Sequence, residues 1–492
     1  MSLGPQSEEE VRIDRRKLFL DKGINPYPAR TARTHDIEHV VSNFDHLAEG
    51  GASLTIAGRV FAIRGHGKSA FLVVRDGTGS MQVYCTLDGV GAEQYELFKN
   101  TLDLGDFIEV AGTPFRTKTG EPTIRAEHWK ILTKTLLPLP EKFHGLEDTE
   151  LRLRKRYLDL LANPEVREVF AKRERIIFAI RNFHRERGFF EAETPLLHPI
   201  AGGANARPFV THHNALDMDL YLRIALELYL KRLIVGGFDK VFEIGTCFRN
   251  EGIDWAHNPE FTMLESYWSY HDYHDLMTFI EELMQHLVSV VFGSADAPVN
   301  FSEHAISFTP PYQRLDYREA LIERSGIDID AFPDDAALRA AVLNKGVEID
   351  ATDGRGTVID KLYKKFVRPN LIQPTFIINH PKVTAPLAKT LFDRPDYIER
   401  VQLVVCGMEI TNGFSELNDP VEQYERFLEQ ERARLGGDEE ANPMDEDFVT
   451  ALKHGMPPCV GNGIGIDRLV ALLTNQHHIR DVIMFPTLRP KT

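Results

Sequence analysis

The residues best equipped for chemistry in this 492-residue chain stand in three short segments. In the first, Arg249 and Glu251 lie two apart in Phe248-Arg249-Asn250-Glu251-Gly252, ahead of His257-Asn258-Pro259-Glu260-Phe261. Residues two apart on a strand project to the same side, so a guanidinium and a carboxylate would share one face, with a loop and an aromatic ring to follow. In the second, Arg468 follows Gly461-Asn462-Gly463-Ile464-Gly465 at the start of an apolar helix. The third, Arg187-Gly188-Phe189-Phe190-Glu191 running into Thr194-Pro195, reads as a glycine-stopped helix and a strand entering a proline. A guanidinium is a planar, permanently charged fork that matches carboxylate and phosphate oxygens. Taken singly, each segment has a plainer reading: a surface ion pair, a solvated helix arginine, a strand end. Three other patterns are weaker still. Gly67-Lys68-Ser69 looks like the end of a phosphate loop, but Ala62 occupies the upstream glycine position. The 461–465 glycines lack an acidic ribose reader in a βαβ frame. His271 and His274 have no further ligands to complete a metal set.

The flanking patterns predict what must position these residues. Residues 8–22 mix charge with Val11, Ile13, Leu18, Phe19 and Leu20, the pattern of a short amphipathic helix, and Asn25-Pro26-Tyr27-Pro28 ends it. Short β runs then occupy 54–63, 70–75, 80–85, 107–113 and 123–132, with turn signals such as Asp76-Gly77-Thr78-Gly79 between them. These five strands, with a helical stretch at 92–101 between the third and fourth, predict a small barrel of the OB type. A linker beginning at Leu137-Pro138 and a basic run over 151–160 precede a long helix from Asn163-Pro164 to Arg187. Beyond it, strands and helices mix without βαβα alternation, which argues against a doubly wound parallel sheet.

Hydrophobic residues make up 43% and charged residues 26% of the chain, the balance of a soluble globular protein. The length predicts two or three domains. No apolar run nears the roughly 18 residues of a membrane span, and the N-terminus has no signal-peptide pattern. Cys85, Cys247, Cys406 and Cys459 form no CxxC pair, which fits a reducing cytoplasm. The net charge of −16 speaks, as a total, against a nucleic-acid partner, since phosphate contacts need Lys and Arg. Its distribution says otherwise. Residues 251–300 hold nine acids and no Lys or Arg, and residues 401–450 hold thirteen acids against three bases, so the remainder is near neutral. Glu251, Glu265, Glu409 and Glu416 fall within these blocks, while Asp438, Glu439, Glu440 and Asp445, Glu446, Asp447 read as solvated surface.

Together and in this order, 187–197, 248–261 and 461–469 resemble motifs 1, 2 and 3 of the class II aminoacyl-tRNA synthetases. Gly202-Gly203-Ala204-Asn205-Ala206-Arg207-Pro208-Phe209, the stretch Tyr221 to Arg232, and Asn412-Gly413-Phe414-Ser415-Glu416-Leu417-Asn418-Asp419 narrow the likeness. The chain is similar to the bacterial lysyl-tRNA synthetases from about residue 10 onward. The resemblance implies an α+β protein with a helical extension over 1–50, an OB-fold anticodon-binding domain over 51–137, a linker over 138–163 and a class II catalytic domain on an antiparallel sheet over 164–492. It also implies a cytoplasmic homodimer built partly through the Pro195 segment, acting on L-lysine, ATP and lysine tRNA, with no membrane or DNA partner.

In that family the lysine carboxylate attacks the α-phosphate of ATP. The nucleophile is already ionised, so the step needs alignment and charge neutralisation rather than a base. The resemblance then places Arg249 at the α-phosphate and substrate carboxylate, Arg468 at the γ-phosphate, Phe261 on adenine, His257 near the phosphates, and Glu251 at adenine or beside Arg249. Magnesium, more than one ion, would bridge the phosphates from Glu409. The lysine pocket would draw on Gly203, Glu227, Arg249, Glu265, Tyr267, Asn412, Phe414 and Glu416. Glu416 and Tyr267 would meet the ε-ammonium, and Glu227, Glu265 and the Gly203 carbonyl the α-amine, because a buried ammonium demands a carboxylate or carbonyl partner. Phe71, Arg75 and Gln82 would read a U-rich anticodon, with a core phenylalanine as the competing reading of Phe71. The basic run 152–156 would meet the tRNA backbone.

Some positions leave the family pattern. Gln402 stands where a second metal-binding carboxylate is usual, Ala256 and Met408 replace arginines, Leu226 a proline, and Asn462 an apolar residue. Two rivals share the motifs: a paralogue that lysylates a protein, which would lack the barrel, and a catalytically weakened RNA-binding paralogue, which would have no reason to retain both arginines.

Overall fold

The computed structural model describes residues 7–139, 146–351, 353–435 and 443–490, without the side chains of His66 and Ala433. The chain forms two compact units, Met1–Leu146 and Glu147–Thr492. Part of the expected linker (140–145) and Asp438, Glu439 and Glu440 lie outside the described residues.

In the first unit, β1 (Leu54–His66), β2 (Ser69–Arg75), β3 (Ser80–Thr86), β4 (Phe107–Arg116) and β5 (Pro122–Thr133) close a barrel in the order β1-β2-β3-β5-β4. Each strand alternates between core and outer face, as a period of two requires. Ala70, Leu72 and Val74 of β2 and Met81, Val83 and Cys85 of β3 are buried, joined by Ile108, Val110, Ile124 and Trp129. The helix Ala92–Thr101 sits between β3 and β4, and Glu8–Asp21, capped by Ser7 in a reciprocal capping box with Glu10, buries Phe19 in the same core. Lys134 is fully buried, its ammonium shared by Asp103 and Asp106.

An eight-stranded sheet carries the second unit, in the order Gln313–Asp316, Thr375–Pro381, Tyr397–Val405, Met408–Ser415, Cys459–Gly465, Glu260–Ser269, Lys240–Phe248, Phe190–Glu191. The inner pairings are antiparallel, and both edge strands join in parallel. One face is covered by Pro164–Glu186, which starts on the expected proline, and by Tyr273–Phe292. Ile176, Ile180, Phe183, Leu276, Ile280 and Leu283 interleave there with Phe242, Leu264 and Ile464 from the strands. The opposite face of the central strands borders a cavity. Among the described residues no helix is long and apolar enough to cross a membrane.

Three expectations change. Arg249 and Glu251 were read on a strand; the ladder stops at Phe248, opposite Glu260, and both residues lie in the loop that follows. Arg156 cannot meet RNA. It is buried, paired with Asp159 (2.6 Å) and donating to the carbonyls of Met484 and Arg480, while Arg154 takes Glu150 and the Arg489 carbonyl. Asp445 is buried, not solvated: it caps Glu446–Lys453 and receives Arg232 at 2.9 Å on both oxygens.

The departure at Asn462 also acquires a consequence. Asn462 pairs directly with Ser266 and Gly413, where an added Cβ would strike Leu276 of the covering helix, so its side chain enters the apolar core. Both of its amide atoms are buried without a hydrogen-bond partner. An unmet buried amide costs about 1–3 kcal/mol. Asn462→Leu is therefore expected to raise the thermal unfolding midpoint, and an unchanged midpoint would show the amide to be satisfied.

Candidate active site

The open face of the sheet holds a cavity of about 320 Å3. At one end lie the two arginines. Arg249 is set over the Phe261 ring, 5.1 Å from its centroid, with Nε buried and unpartnered. Arg468 occupies the first turn of Ile466–Leu473, and its Nη2 donates to His257 Nε2 at 3.2 Å. That bond puts the His257 proton on Nδ1, which faces Asp254 at 2.8–2.9 Å. Asp254 is held below its ordinary value: burial opposes this, but the backbone N–H groups of Ala256 and His257 and the His257 ring outweigh it. A chain Asp254–His257–Arg468 thus fixes the loop after the first arginine against the helix that carries the second. Behind Arg468, the buried Asp467 accepts from Arg173 (2.5 Å) and from the Thr262 N–H (2.7 Å). Glu251, Ala256, His257 and Glu409 line the same end.

At the other end three carboxylates converge. Glu265 accepts from the Leu226 N–H (3.1 Å) and the Tyr267 hydroxyl (3.0 Å). Glu227 Oε1 lies 2.5 Å from Lys231 Nζ, and Glu416 closes on the same ammonium. Burial, reinforced by Glu227, pushes Glu265 up to about 7. Glu416 is held well above its ordinary value by burial, against the pull of Lys231. Burial would depress Lys231, but the two glutamates hold it above its ordinary value. The cavity floor is glycine: an added Cβ on Gly461 would meet Glu416 Oε1 and lie 2.6 Å from the Tyr267 ring. Gly203 sits at φ +90, a backbone that glycine adopts without strain, tight against Ala225 and Glu227. Asn412 and Phe414 complete this end, Asn412 accepting from Arg400 Nε at 2.8 Å.

Gln402 stands one layer back. It donates to Glu409 Oε2 at 2.8 Å, with its carbonyl oxygen 3.2 Å from His380 Nε2, so it steadies Glu409. The described residues contain no cluster of three His, Cys, Asp or Glu able to hold a metal. A single carboxylate, Glu409, still suits magnesium, which is commonly held by one or two carboxylates plus substrate phosphates.

Gly203, Glu227, Arg249, Glu251, His257, Phe261, Glu265, Tyr267, Glu409, Asn412, Phe414, Glu416 and Arg468 thus share one cavity. Lys231 and Arg400 were missed. Lys231 stands four residues after Glu227, a spacing that brings the two together on a helix. Arg400 shares a strand face with Gln402. Phe71, Arg75 and Gln82 occupy the outer face of the barrel. Phe71 stacks on Tyr84 with centroids 4.6 Å apart, Arg75 lies over the Phe61 ring and Gln82 donates to Thr123, which excludes a core role for Phe71.

The sequence profile described as tRNA synthetases class II (D, K and N) matches residues 148–489. The chain belongs to the class II tRNA synthetases. A second profile, an OB-fold nucleic acid binding domain, matches residues 54–132 of this synthetase, the span of the barrel strands. Curated relatives include the lysine–tRNA ligase of Pelotomaculum thermopropionicum, 50% identical over 98% of this chain and 95% of its own length. That of Carboxydothermus hydrogenoformans is 49% identical over 98% of each chain. That of Moorella thermoacetica is 50% identical over 98% of this chain and 97% of its own. The synthetase therefore has the α+β architecture expected of its motifs, a barrel followed by a catalytic unit whose sheet is antiparallel through its centre.

Proposed function

We propose that the chain is a lysine–tRNA ligase. The observation that carries this reading is a buried surplus of negative charge: Glu227, Glu265 and Glu416 against the single ammonium of Lys231, facing two arginines across one cavity. An acidic amino acid would meet like charge at that end, and a neutral one would leave carboxylates buried without a counter-ion. L-Lysine brings two ammonium groups to the carboxylates and its own carboxylate to Arg249.

In the first step a lysine carboxylate oxygen attacks the α-phosphorus of ATP; a new O–P bond forms and pyrophosphate leaves. Arg249 spans the attacking carboxylate and the α-phosphate, Arg468 holds the γ-phosphate, and Phe261 stacks on adenine. Glu251 reaches the adenine edge or steadies Arg249. His257 lies near the phosphates. Magnesium carried by the phosphates would be held from Glu409 and would neutralise phosphate charge. In the second step a hydroxyl of the terminal adenosine of lysine tRNA attacks the carbonyl carbon and AMP leaves. Phe71, Arg75 and Gln82 supply the stacking and hydrogen-bonding face for the anticodon. Exposed Phe190, Leu196 and Leu197 on the Pro195 segment support a homodimer, and four free cysteines fit a cytoplasmic setting.

The test is ATP–pyrophosphate exchange with each amino acid, then charging of lysine tRNA. Exchange driven by lysine above all others is expected; stronger exchange with another amino acid would overturn the assignment. A second arm separates it from a paralogue that lysylates a protein. Phe71→Ala is expected to raise the KM for lysine tRNA about 5- to 150-fold, the range for one lost base stack. A comparable loss in exchange would mean general damage rather than lost stacking.

A further inference from the structure

Lys231 is fully buried, with its side chain 0% exposed, and its ammonium bridges Glu227 and Glu416 beside the rings of Phe414 (5.4 Å) and Phe448 (5.9 Å). The titratable groups around it are Glu227 on its own helix, Glu265 and Tyr267 on the strand Glu260–Ser269, Glu416 just after the strand Met408–Ser415, and Cys459 at the start of the next strand. Among these, three carboxylates face one ammonium, so the cluster, when ionised, carries two net negative charges; Arg400, bound to Asn412 at the same end of the cavity, lies outside it. Two is also the number of ammonium groups on free lysine, whose carboxylate is met by Arg249. The two ammonium groups then neutralise the cluster, which matters where Coulomb terms are little screened.

Geometry adds to the count. Lys231 engages Oε2 of Glu416, while Oε1 lies buried and unpartnered over Gly461, against the Tyr267 ring, at the floor of the cavity. A carboxylate pinned through one oxygen offers the other in a fixed direction.

We propose that Lys231 is a specificity-determining positioning residue: an internal ammonium that sets the pocket charge to match a dicationic amino acid and turns Glu416 Oε1 toward the incoming ε-ammonium. The inference rests on the lysine–tRNA ligase reading. It assigns Lys231 no contact with substrate; the residue acts through Glu227 and Glu416.

The test compares the full-length protein with Lys231→Met and with Lys231→Arg, measuring Kd for lysine, Kd for ATP and protons released per lysine bound. Lys231→Met keeps the side-chain length but leaves three unbalanced carboxylates, which would hold an extra proton in the empty pocket. It is expected to weaken lysine binding at least tenfold near pH 7, to change ATP binding less than twofold, and to release about one more proton per lysine than the unmodified protein. Lys231→Arg restores the positive charge and is expected to bind lysine at least threefold more tightly than Lys231→Met, with proton release near the original count. Equal losses of lysine and ATP binding, unchanged lysine affinity in Lys231→Met, or no advantage of Lys231→Arg over Lys231→Met would each overturn the inference. Failure of the unmodified protein to bind lysine would instead overturn the reading on which it rests.

Discussion

Arg249→Ala is expected to lower lysine-dependent ATP–pyrophosphate exchange by about 10³-fold, in the range found where a donor aimed at transition-state charge is removed. The residue is half-buried over Phe261 with Nε free of any partner, so its fork is positioned before substrate arrives. Charge on the α-phosphorus oxygens grows as the lysine carboxylate closes in, and a fixed cation meets it without reorganisation. Arg249→Lys is expected to recover little, because a point charge cannot span a carboxylate and a phosphate together. Arg468→Ala should differ in kind. Its guanidinium is tied to His257 and to the Glu409 carbonyl, and it serves the outer phosphate. The loss should appear mainly as a raised KM for ATP. The two effects are separated by steady-state exchange at saturating and limiting ATP, and an Arg249→Ala protein retaining a tenth of its rate would remove that residue from the reaction.

The second large effect is on lysine itself. Glu416→Gln is expected to raise the KM for lysine about 30-fold or more, the lower end of what truncating one partner of a buried charge pair costs. ATP binding should stay nearly intact, and equal loss of both would show Glu416 to be misplaced. The same cluster predicts a pH dependence. Glu265 is pushed up to about 7 by burial and by Glu227. Below that pH the empty pocket holds a proton there, and a dicationic ligand must expel it. Lysine affinity should therefore fall as the pH drops from 8 to 6, by up to tenfold per pH unit where one proton is released. Affinity flat across that range would place Glu265 outside the lysine site.

The barrel was legible because its strands alternate core and surface, so 80–85 emerges within a residue of Ser80–Thr86. The catalytic unit was legible through its motifs. Its sheet joins strands from residue 190 to residue 465, an order that no local period encodes. Arg249 and Glu251 were placed on a strand because their spacing fits one. The ladder ends a residue earlier, and the chain instead turns through Asp254. Lys231 was missed for a different reason. A lysine next to an arginine on a helix reads as solvated, and only Glu416, just after a strand far along the chain, completes its burial as an ion. Arg156 and Asp445 failed likewise, each buried by partners that lie distant in sequence.

The glycine at the cavity floor has a genetic meaning. Position 461 holds the smallest side chain there is, and the first carbon added would collide with Glu416 and Tyr267. No missense change at that codon can enlarge the pocket, and every one fills it. Selection for resistance to a bulky lysine mimic could therefore act here only by also excluding lysine, so escape variants should arise elsewhere in the wall and leave this codon untouched.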